Sequence, residues 1–144
     1  MPMAASPEQT LELDLPATIE GLGTGLGALE RRCAELGLPD AATVRILTVF
    51  EEIFTNTVKY GYRDRPRTQV PGRVHVTLDG PPVRLVLEDD AASFDPTAWD
   101  SSPDMTGTVA ERPVGRLGIA LVMGLARAVR WQARDPGNRL VIEI

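Results

Sequence analysis

Cysteine and histidine are almost absent from this sequence, and their scarcity excludes several kinds of site. The chain of 144 residues has one cysteine, Cys33, and one histidine, His75. A single cysteine excludes an intramolecular disulfide and a cysteine-rich zinc site, and it is typical of a protein in a reducing compartment. A single histidine excludes a two-histidine metal motif. Because His75 lies in the strand-like stretch RVHVTL, we interpret it as a surface strand residue and not a catalyst.

Positive charge and long apolar runs are lacking as well. The formal net charge is −5, which argues against a general nucleic-acid-binding protein, because phosphate neutralisation requires a basic surface. The longest apolar run, residues 117–126, is too short to span a bilayer. The first residues, MPMAASPEQ, contain neither a basic stretch nor an apolar segment typical of a signal peptide. The sequence therefore predicts a cytoplasmic protein without nucleic-acid or membrane partners.

What the sequence does contain is the composition of a folded globular protein. Apolar residues make up 43% of the chain and charged residues 24%, a balance that excludes a largely disordered chain. The length fits one domain that can bury a core. We predict a flexible tail over residues 1–9 and a single domain over residues 10–144.

The periodicity of the apolar residues predicts an α+β fold. Strands are expected over residues 10–16, 74–80, 83–90, 128–134 and 139–144, and helices over residues 18–36, 40–60 and 116–127. Tight turns join the strands of the last two pairs, so both pairs must be antiparallel. The architecture that follows is a two-layer α/β sandwich. In it, helices cover one face of a mixed, mostly antiparallel sheet.

A glycine-rich stretch in the first predicted helix formally matches a dinucleotide-binding motif. Gly23, Gly25 and Ala28 occupy the fixed positions of GxGxxA. That motif should lead into a second, parallel strand that carries an acidic residue. Another helix follows here, so we interpret the glycines as small residues that allow close helix packing. The motif is therefore weak evidence for a nicotinamide-dependent dehydrogenase, which we keep as the last of three hypotheses.

Three separated stretches carry residues suited to phosphate chemistry. Glu52 and Asn56 share a face of the second helix, where an amide oxygen suits Mg²⁺ and a carboxylate can take a proton from a hydroxyl. The pair Asp89–Asp90 ends a buried strand, where a carboxylate can accept a hydrogen bond from an amine such as that of adenine. Gly115 and Gly118 open a helix whose free N–H groups can bind phosphate. A solvated face, a strand end and a helix start are the alternative explanations. The order and spacing of the stretches favour the functional one.

Together these stretches resemble the GHKL, or Bergerat-fold, ATPases, and among them the serine-kinase anti-sigma factors of bacterial partner switches. EEIFTNTVKYGY is similar to their N-box, with E-x-x-x-N, a basic residue and G-Y. LEDDAASFDP is similar to D-x-G-x-x-F-D-P, and RPVGRLGIALV to R-P-x-G-G-L-G-x-x-L-V. GNRLVIEI is similar to the closing strand, so the resemblance runs from about residue 10 to the C-terminus. It implies an α+β sandwich that binds ATP and Mg²⁺ and commonly forms a homodimer.

The resemblance also implies a role for each matched position. It makes Glu52 the general base and Asn56 the Mg²⁺ ligand, and it places the adenine amino group on Asp89. The nucleotide-binding residues that it implies are Asn56, Lys59, Asp89, Phe94, Gly115, Arg116, Leu117 and Gly118, with the phosphates at residues 115–118. Residues 97–114, within a long stretch without periodicity, would form the ATP lid.

Two positions depart from the family pattern. Ala91 stands where the first glycine box has glycine, and its methyl group would be unfavourable if the backbone there needs a positive φ or approaches adenine closely. Arg116 replaces the second glycine of G-G-L-G, where it would contact phosphate or crowd the loop. Neither change removes a catalytic side chain, so we expect nucleotide binding to be retained.

Two functions of different classes follow from this resemblance. In the first, the protein is a serine/threonine kinase that phosphorylates a STAS-domain antagonist with Mg-ATP and sequesters a sigma factor or another regulator. In the second, it is a non-catalytic module of the same fold that sequesters its partners stoichiometrically. The intact Glu52 and Asn56 favour the kinase, whereas Ala91 and Arg116 favour the module.

Overall fold

The structure is a computed structural model that describes residues 10–63, 70–98 and 116–144, with the backbone alone for residues 116 and 117. Its elements are β1 (Leu11–Pro16), α1 (Ile19–Glu35), α2 (Asp40–Tyr60), β2 (Arg73–Asp79), β3 (Arg84–Asp89), a 3-10 turn (Pro96–Ala98), α3 (Arg116–Leu125), β4 (Ala128–Arg134) and β5 (Gly137–Glu143). The predicted helices and strands are confirmed, each to within two residues at either end. The predicted tail over residues 1–9 lies outside the described residues, as does the predicted lid except for residues 97 and 98.

The strands form one sheet in the order β1-β2-β3-β5-β4, and every neighbouring pair is antiparallel. The predicted α+β fold class is confirmed, and the pairings in this sheet are antiparallel throughout. The register pairs Val74 with Asp89, and Asp89 with Asn138. Residues far apart in the chain therefore lie side by side at one end of the sheet.

The two faces of the sheet differ in chemistry. One face packs on the helices and carries apolar residues at alternate strand positions, which is the period-two pattern of a half-buried sheet. Its buried residues include Val74, Val76, Leu78, Leu85, Leu87, Leu140 and Ile142. The other face carries charged pairs, such as Arg73 with Asp14 at 3.0 Å and His75 with Glu12 at 3.7 Å. Among the residues that the structure describes, helices therefore pack on one face of the sheet, as predicted.

Helix α1 packs closely on its neighbours through small residues. Its N-terminus is capped by Thr18, whose hydroxyl accepts a hydrogen bond from the Gly21 N–H at 3.0 Å. A β-carbon on Gly25 would lie 2.5 Å from Cζ of Phe50 and 2.9 Å from Cδ1 of Leu15. By contrast, nothing lies within 4 Å of a β-carbon built on Gly23. Helix α2 follows α1, so the dinucleotide motif is not formed. The packing role predicted for the glycines of the motif fits Gly25 and is wrong for Gly23, which has no close neighbour.

Helix α2 forms the centre of the helical layer. It begins at Asp40, directly after Pro39, and ends at Tyr60, where the Gly61 N–H donates to the Thr57 carbonyl at 2.9 Å. Its inner face buries Phe50 and Phe54 completely, together with Ile46 and Val49. Over the described residues, no helix has the length and apolar character needed to cross a membrane.

Candidate active site

A cavity of about 410 Å³ lies between α2, the ends of β3 and β5, and α3. Its lining residues are Ile53, Asn56, Thr57, Tyr60, Gly61, Arg63, Leu87, Asp89, Ala91, Ala92, Ser93, Phe94, Pro96, Ile119, Trp131, Asn138 and Leu140. The walls are mainly apolar and carry a few polar groups, which is typical of a pocket for a small organic ligand. The three sequence stretches with candidate chemistry all contribute to this one region.

Asp89 is the carboxylate of this cavity. Its Oδ1 accepts hydrogen bonds from the Ala91 N–H at 3.0 Å and from Nδ2 of Asn138 at 2.9 Å. Burial raises the pKa of the Asp89 carboxyl, while these two hydrogen bonds act against that rise. Both of these hydrogen bonds go to Oδ1, and within the described residues none goes to Oδ2.

Asn138 holds Asp89 from the neighbouring strand, β5. Its side chain is only 7% exposed. Besides the bond to Asp89, its Nδ2 donates to the Ala92 carbonyl at 3.0 Å. Its Oδ1 accepts from the Phe94 N–H at 2.8 Å and from Nε1 of Trp131 at 2.9 Å. Both donors and both acceptor positions of the amide are thus in use.

Glu52 and Asn56 lie one turn apart on α2 and face the first turns of α3. A β-carbon built on Gly118 would overlap Oε2 of Glu52 and would lie 3.8 Å from Nδ2 of Asn56. Glycine at 118 therefore allows α3 to approach both polar side chains. Asn56 also lines the cavity that contains Asp89. Asn56, the candidate metal ligand, thus lies beside the candidate general base Glu52 and also lines the cavity of the candidate adenine-binding carboxylate; Glu52 is not among the lining residues.

The family model of the histidine kinase-like ATPase domain matches residues 15–144. The chain belongs to this family. That match confirms the resemblance to GHKL ATPases seen in the sequence. A comparison with curated proteins found no match.

The fold of this ATPase domain is also similar to a solved structure, the RsbU and RsbW domains of Rv1364c from Mycobacterium tuberculosis. The TM-score is 0.65 and the sequence identity is 18%, over 92% of this chain and 31% of that one. This chain therefore spans about a third of the length of the matched structure, and the similarity concerns the fold alone.

The remaining predicted site residues of the ATPase domain have different positions. Phe94 lines the cavity and is 37% exposed. Lys59 is exposed and is not among the residues that line the cavity. The backbone of Arg116 and Leu117 forms the start of α3, and Gly115 lies outside the described residues. Of the predicted nucleotide-binding side chains, the structure thus brings Asn56, Asp89 and Phe94 into one cavity.

The alanine that departs from the family pattern is accommodated by a neighbouring glycine. No residue other than glycine has a positive φ in the described part of the chain, so Ala91 does not need the conformation that favours glycine. A β-carbon on Gly61 would lie 2.7 Å from that of Ala91, closer than the packing of two methyl groups allows. The Ala92 N–H also donates to the Gly61 carbonyl at 3.0 Å. Gly61 therefore makes the room that the Ala91 methyl group needs.

Several residues of this cavity were not predicted from the sequence. Arg63 lies over the Tyr60 ring, with its guanidinium carbon 4.5 Å from the ring centroid, and both residues line the cavity. Trp131 and Asn138 also line the cavity. One signal was available for Asn138: counting back by two from the apolar Ile142 and Leu140 places it on the buried face of β5.

Proposed function

We propose that this chain is an ATP-dependent protein serine/threonine kinase of the anti-sigma type. It transfers the γ-phosphoryl group of ATP to a hydroxyl on a STAS-domain antagonist in the cytoplasm. The observation that carries the proposal is that Asn56 and Asp89 line one cavity, while Glu52 lies one turn before Asn56 and beside Gly118. Membership of the histidine kinase-like ATPase domain family supports ATP as the phosphoryl donor.

The cavity suits the adenine end of the nucleotide. Asp89 Oδ2 accepts a hydrogen bond from the exocyclic amine, while apolar residues such as Leu87, Ile119 and Leu140 contact the flat faces of the base. A volume of about 410 Å³ falls within the usual range for sites that enclose a small ligand. The phosphates would then extend towards the start of α3, where backbone N–H groups are available.

Asn56 is the residue that would hold Mg²⁺. Its amide oxygen is a hard, neutral donor, and Mg²⁺ usually takes one or two protein oxygens together with phosphate oxygens and water. The described residues contain no group of three or more histidine, cysteine and acidic side chains that could hold a metal. When bound, the ion neutralises charge on the transferred phosphoryl group.

Glu52 acts on the attacking hydroxyl. Its carboxylate lies one turn before Asn56 on the same helix and next to Gly118. It takes the hydroxyl proton as the new oxygen–phosphorus bond forms. The bond from the γ-phosphorus to the bridging oxygen breaks, and ADP leaves with that electron pair. The products are ADP, the phosphorylated partner and a proton that Glu52 returns to water.

Phosphorylation then controls the partner complex. A phosphate adds about two negative charges to the antagonist surface at neutral pH, which weakens a docked complex through repulsion and desolvation. The freed kinase, as a homodimer, would sequester a sigma factor or another regulator.

Mass spectrometry of the partner tests the proposal directly. Incubation of the protein with Mg-ATP and its STAS-domain partner is expected to add one phosphate to that partner. Glu52→Gln should slow the transfer by about 10²–10⁴-fold, whereas Glu51→Gln, an exposed neighbour on the same helix, should not. A partner that stays unmodified while still forming a tight complex would instead identify a non-catalytic binding module. Wild-type rates in Glu52→Gln would remove Glu52 from the base role.

A further inference from the structure

We propose that Asn138 makes the candidate site selective for adenine over guanine, by holding the Asp89 carboxylate so that one of its oxygens alone can bind the base. The inference rests on the proposed function, because it assumes a purine nucleotide in the cavity. It assigns a positioning role to a residue on β5 that acts through Asp89.

The hydrogen bonds of Asn138 determine how its amide is oriented. Its Oδ1 faces two donors, Nε1–H of Trp131 and N–H of Phe94. Its Nδ2 faces two acceptors, Oδ1 of Asp89 and the carbonyl of Ala92. A rotated amide would place donors against donors and acceptors against acceptors. Since every hydrogen-bonding position of the amide is used, Asn138 has none left for a ligand and can influence a bound base only through the groups that it holds, Asp89 among them.

The Asp89 carboxylate is left with one oxygen for a ligand. Oδ1 already accepts from Asn138 at 2.9 Å and from the Ala91 N–H at 3.0 Å. A third donor at that oxygen would have to displace one of these buried partners, which leaves a polar group unsatisfied. The carboxylate therefore presents Oδ2 alone, as a single acceptor.

A single acceptor distinguishes the two purines. Adenine presents an exocyclic amine at C6, and one acceptor satisfies it. Guanine in the same pose presents its O6 oxygen, so two acceptors would face each other. Guanine in a turned pose presents N1–H and N2–H together, and this donor pair needs both oxygens of a carboxylate. With Oδ1 occupied, guanine loses a hydrogen bond in either pose.

The residues that fix Asn138 line the same cavity as Asp89, the residue that Asn138 holds. Trp131 lines the cavity and donates to Asn138, and the Phe94 N–H that also donates belongs to the loop that follows β3. The buried amide of Asn138 therefore fixes both Trp131 in the cavity wall and the carboxylate of Asp89. A preorganised acceptor loses less affinity to ordering on binding than a free side chain would.

Calorimetric titration of the wild-type protein gives the first test and needs no variant. Mg-ADP, Mg-GDP and Mg-IDP are compared, because the inosine base lacks the N2 amine of guanine. ADP should bind about tenfold or more tighter than GDP, and GDP should bind no better than IDP. A GDP affinity well above that of IDP would mean that the carboxylate accepts a pair of donors, which overturns the inference.

Two substitutions of Asn138 give the second test. Asn138→Asp keeps an acceptor for Trp131 and Phe94 and replaces the amide donor to Asp89 with a second carboxyl group, whereas Asn138→Ala removes all four side-chain hydrogen bonds. Both should lower the ratio of ADP affinity to GDP affinity by about tenfold. Both should also make the affinity for GDP higher than the affinity for IDP. Arg139→Ala changes the neighbouring residue, which bonds to Gln132, and should leave both ratios at wild-type values.

The outcomes separate this inference from the proposed function. If the folded variants bind ADP with the same affinity ratios as the wild type, the role of Asn138 is overturned and the kinase proposal is unaffected. If the affinity ratios change in Asn138→Ala but not in Asn138→Asp, Asn138 acts by holding the loop after β3 through Phe94. That result also overturns the inference. Failure of the wild-type protein to bind ADP overturns the proposed function itself. If neither variant folds, the wild-type comparison of GDP with IDP decides.

Discussion

Oε2 of Glu52 lies so close to Gly118 that a β-carbon on this glycine would overlap it. Helix α3 therefore approaches α2 at this point without any side chain between its backbone and the candidate base. The Asn56 amide lies beside the same spot, 3.8 Å from that β-carbon position. A glycine that starts an apolar helix after a long aperiodic stretch thus has a specific reason to be there, because it makes room for a polar pair on another helix.

Gly118→Ala should disturb the position of Glu52 and slow phosphoryl transfer. The added methyl group must displace the Glu52 carboxylate or separate the two helices, since it would overlap Oε2. A misplacement of about 1 Å at a reacting group can cost about 100-fold in rate, so we expect phosphoryl transfer to fall by that order. Gly124→Ala is the matched control on α3, because no atom lies within 4 Å of its added β-carbon. Equal transfer rates in the two variants would rule out the close approach.

Asp89→Asn should affect stability and binding in opposite directions. The new amide oxygen can still accept from Asn138 and from the Ala91 N–H, while a buried charge disappears. We expect the free energy of unfolding at pH 7 to rise by on the order of 1 kcal/mol. The amide NH2 would then face the adenine amine, donor against donor, so the affinity for Mg-ADP should fall by about 100-fold. Urea unfolding and calorimetry measure the two effects, and a variant that loses stability together with binding would contradict this account.

The pH dependence of stability should carry the signature of Asp89. Burial, the largest cause, and the charge of Asp90 raise the pKa of its carboxyl, while the Asn138 and Ala91 hydrogen bonds and the charge of Arg134 lower it. Because the net pKa is raised, the native state binds the proton more tightly than the unfolded state does. Stability from this group is present below the unfolded pKa of about 3.9 and is lost as pH rises through the folded pKa.

Urea titrations of wild type and Asp89→Asn from pH 3.5 to 7.5 measure this contribution. The stability advantage of the variant should be largest at neutral pH and should shrink as the pH falls towards the unfolded pKa. An advantage that grows on acidification would mean that the folded pKa is lowered, contrary to the burial of the carboxyl group. Mg-ADP affinity in the wild type should fall over the same acidic window, because a protonated carboxyl group is a poorer acceptor.

Local signals predicted most of the fold because they lie close together in the sequence. Pro39 and Gly61 flank α2, and its predicted and observed bounds agree. The strand register could not be predicted in this way, since it depends on pairing between distant residues. Asn138 shows the consequence. The last predicted strand begins at residue 139 and so omits Asn138, but β5 begins at Gly137 and pairs Asn138 with Asp89.

The candidate site was predictable where its residues are local to a motif. Glu52 and Asn56 follow from helix spacing, and Asp89 follows from its position at a strand end. Trp131 carried no such signal, because its Nε1–H meets Asn138 only once the final hairpin forms. The candidate ligand-binding residues thus left a trace in the sequence, whereas the residues that contact them across the sheet, such as Asn138, became evident only from the strand pairing.

Two glycines of α1 should respond oppositely to the same substitution. Gly23→Ala adds a methyl group to an exposed helix position with nothing within 4 Å, so the free energy of unfolding should rise by about 0.5–1 kcal/mol. Gly25→Ala forces a β-carbon to 2.5 Å from Cζ of Phe50, and overpacking of this kind typically lowers stability by about 1–3 kcal/mol. Urea unfolding of both variants measures the difference. If the two substitutions change the free energy of unfolding in the same direction, α1 does not pack on Phe50 through Gly25.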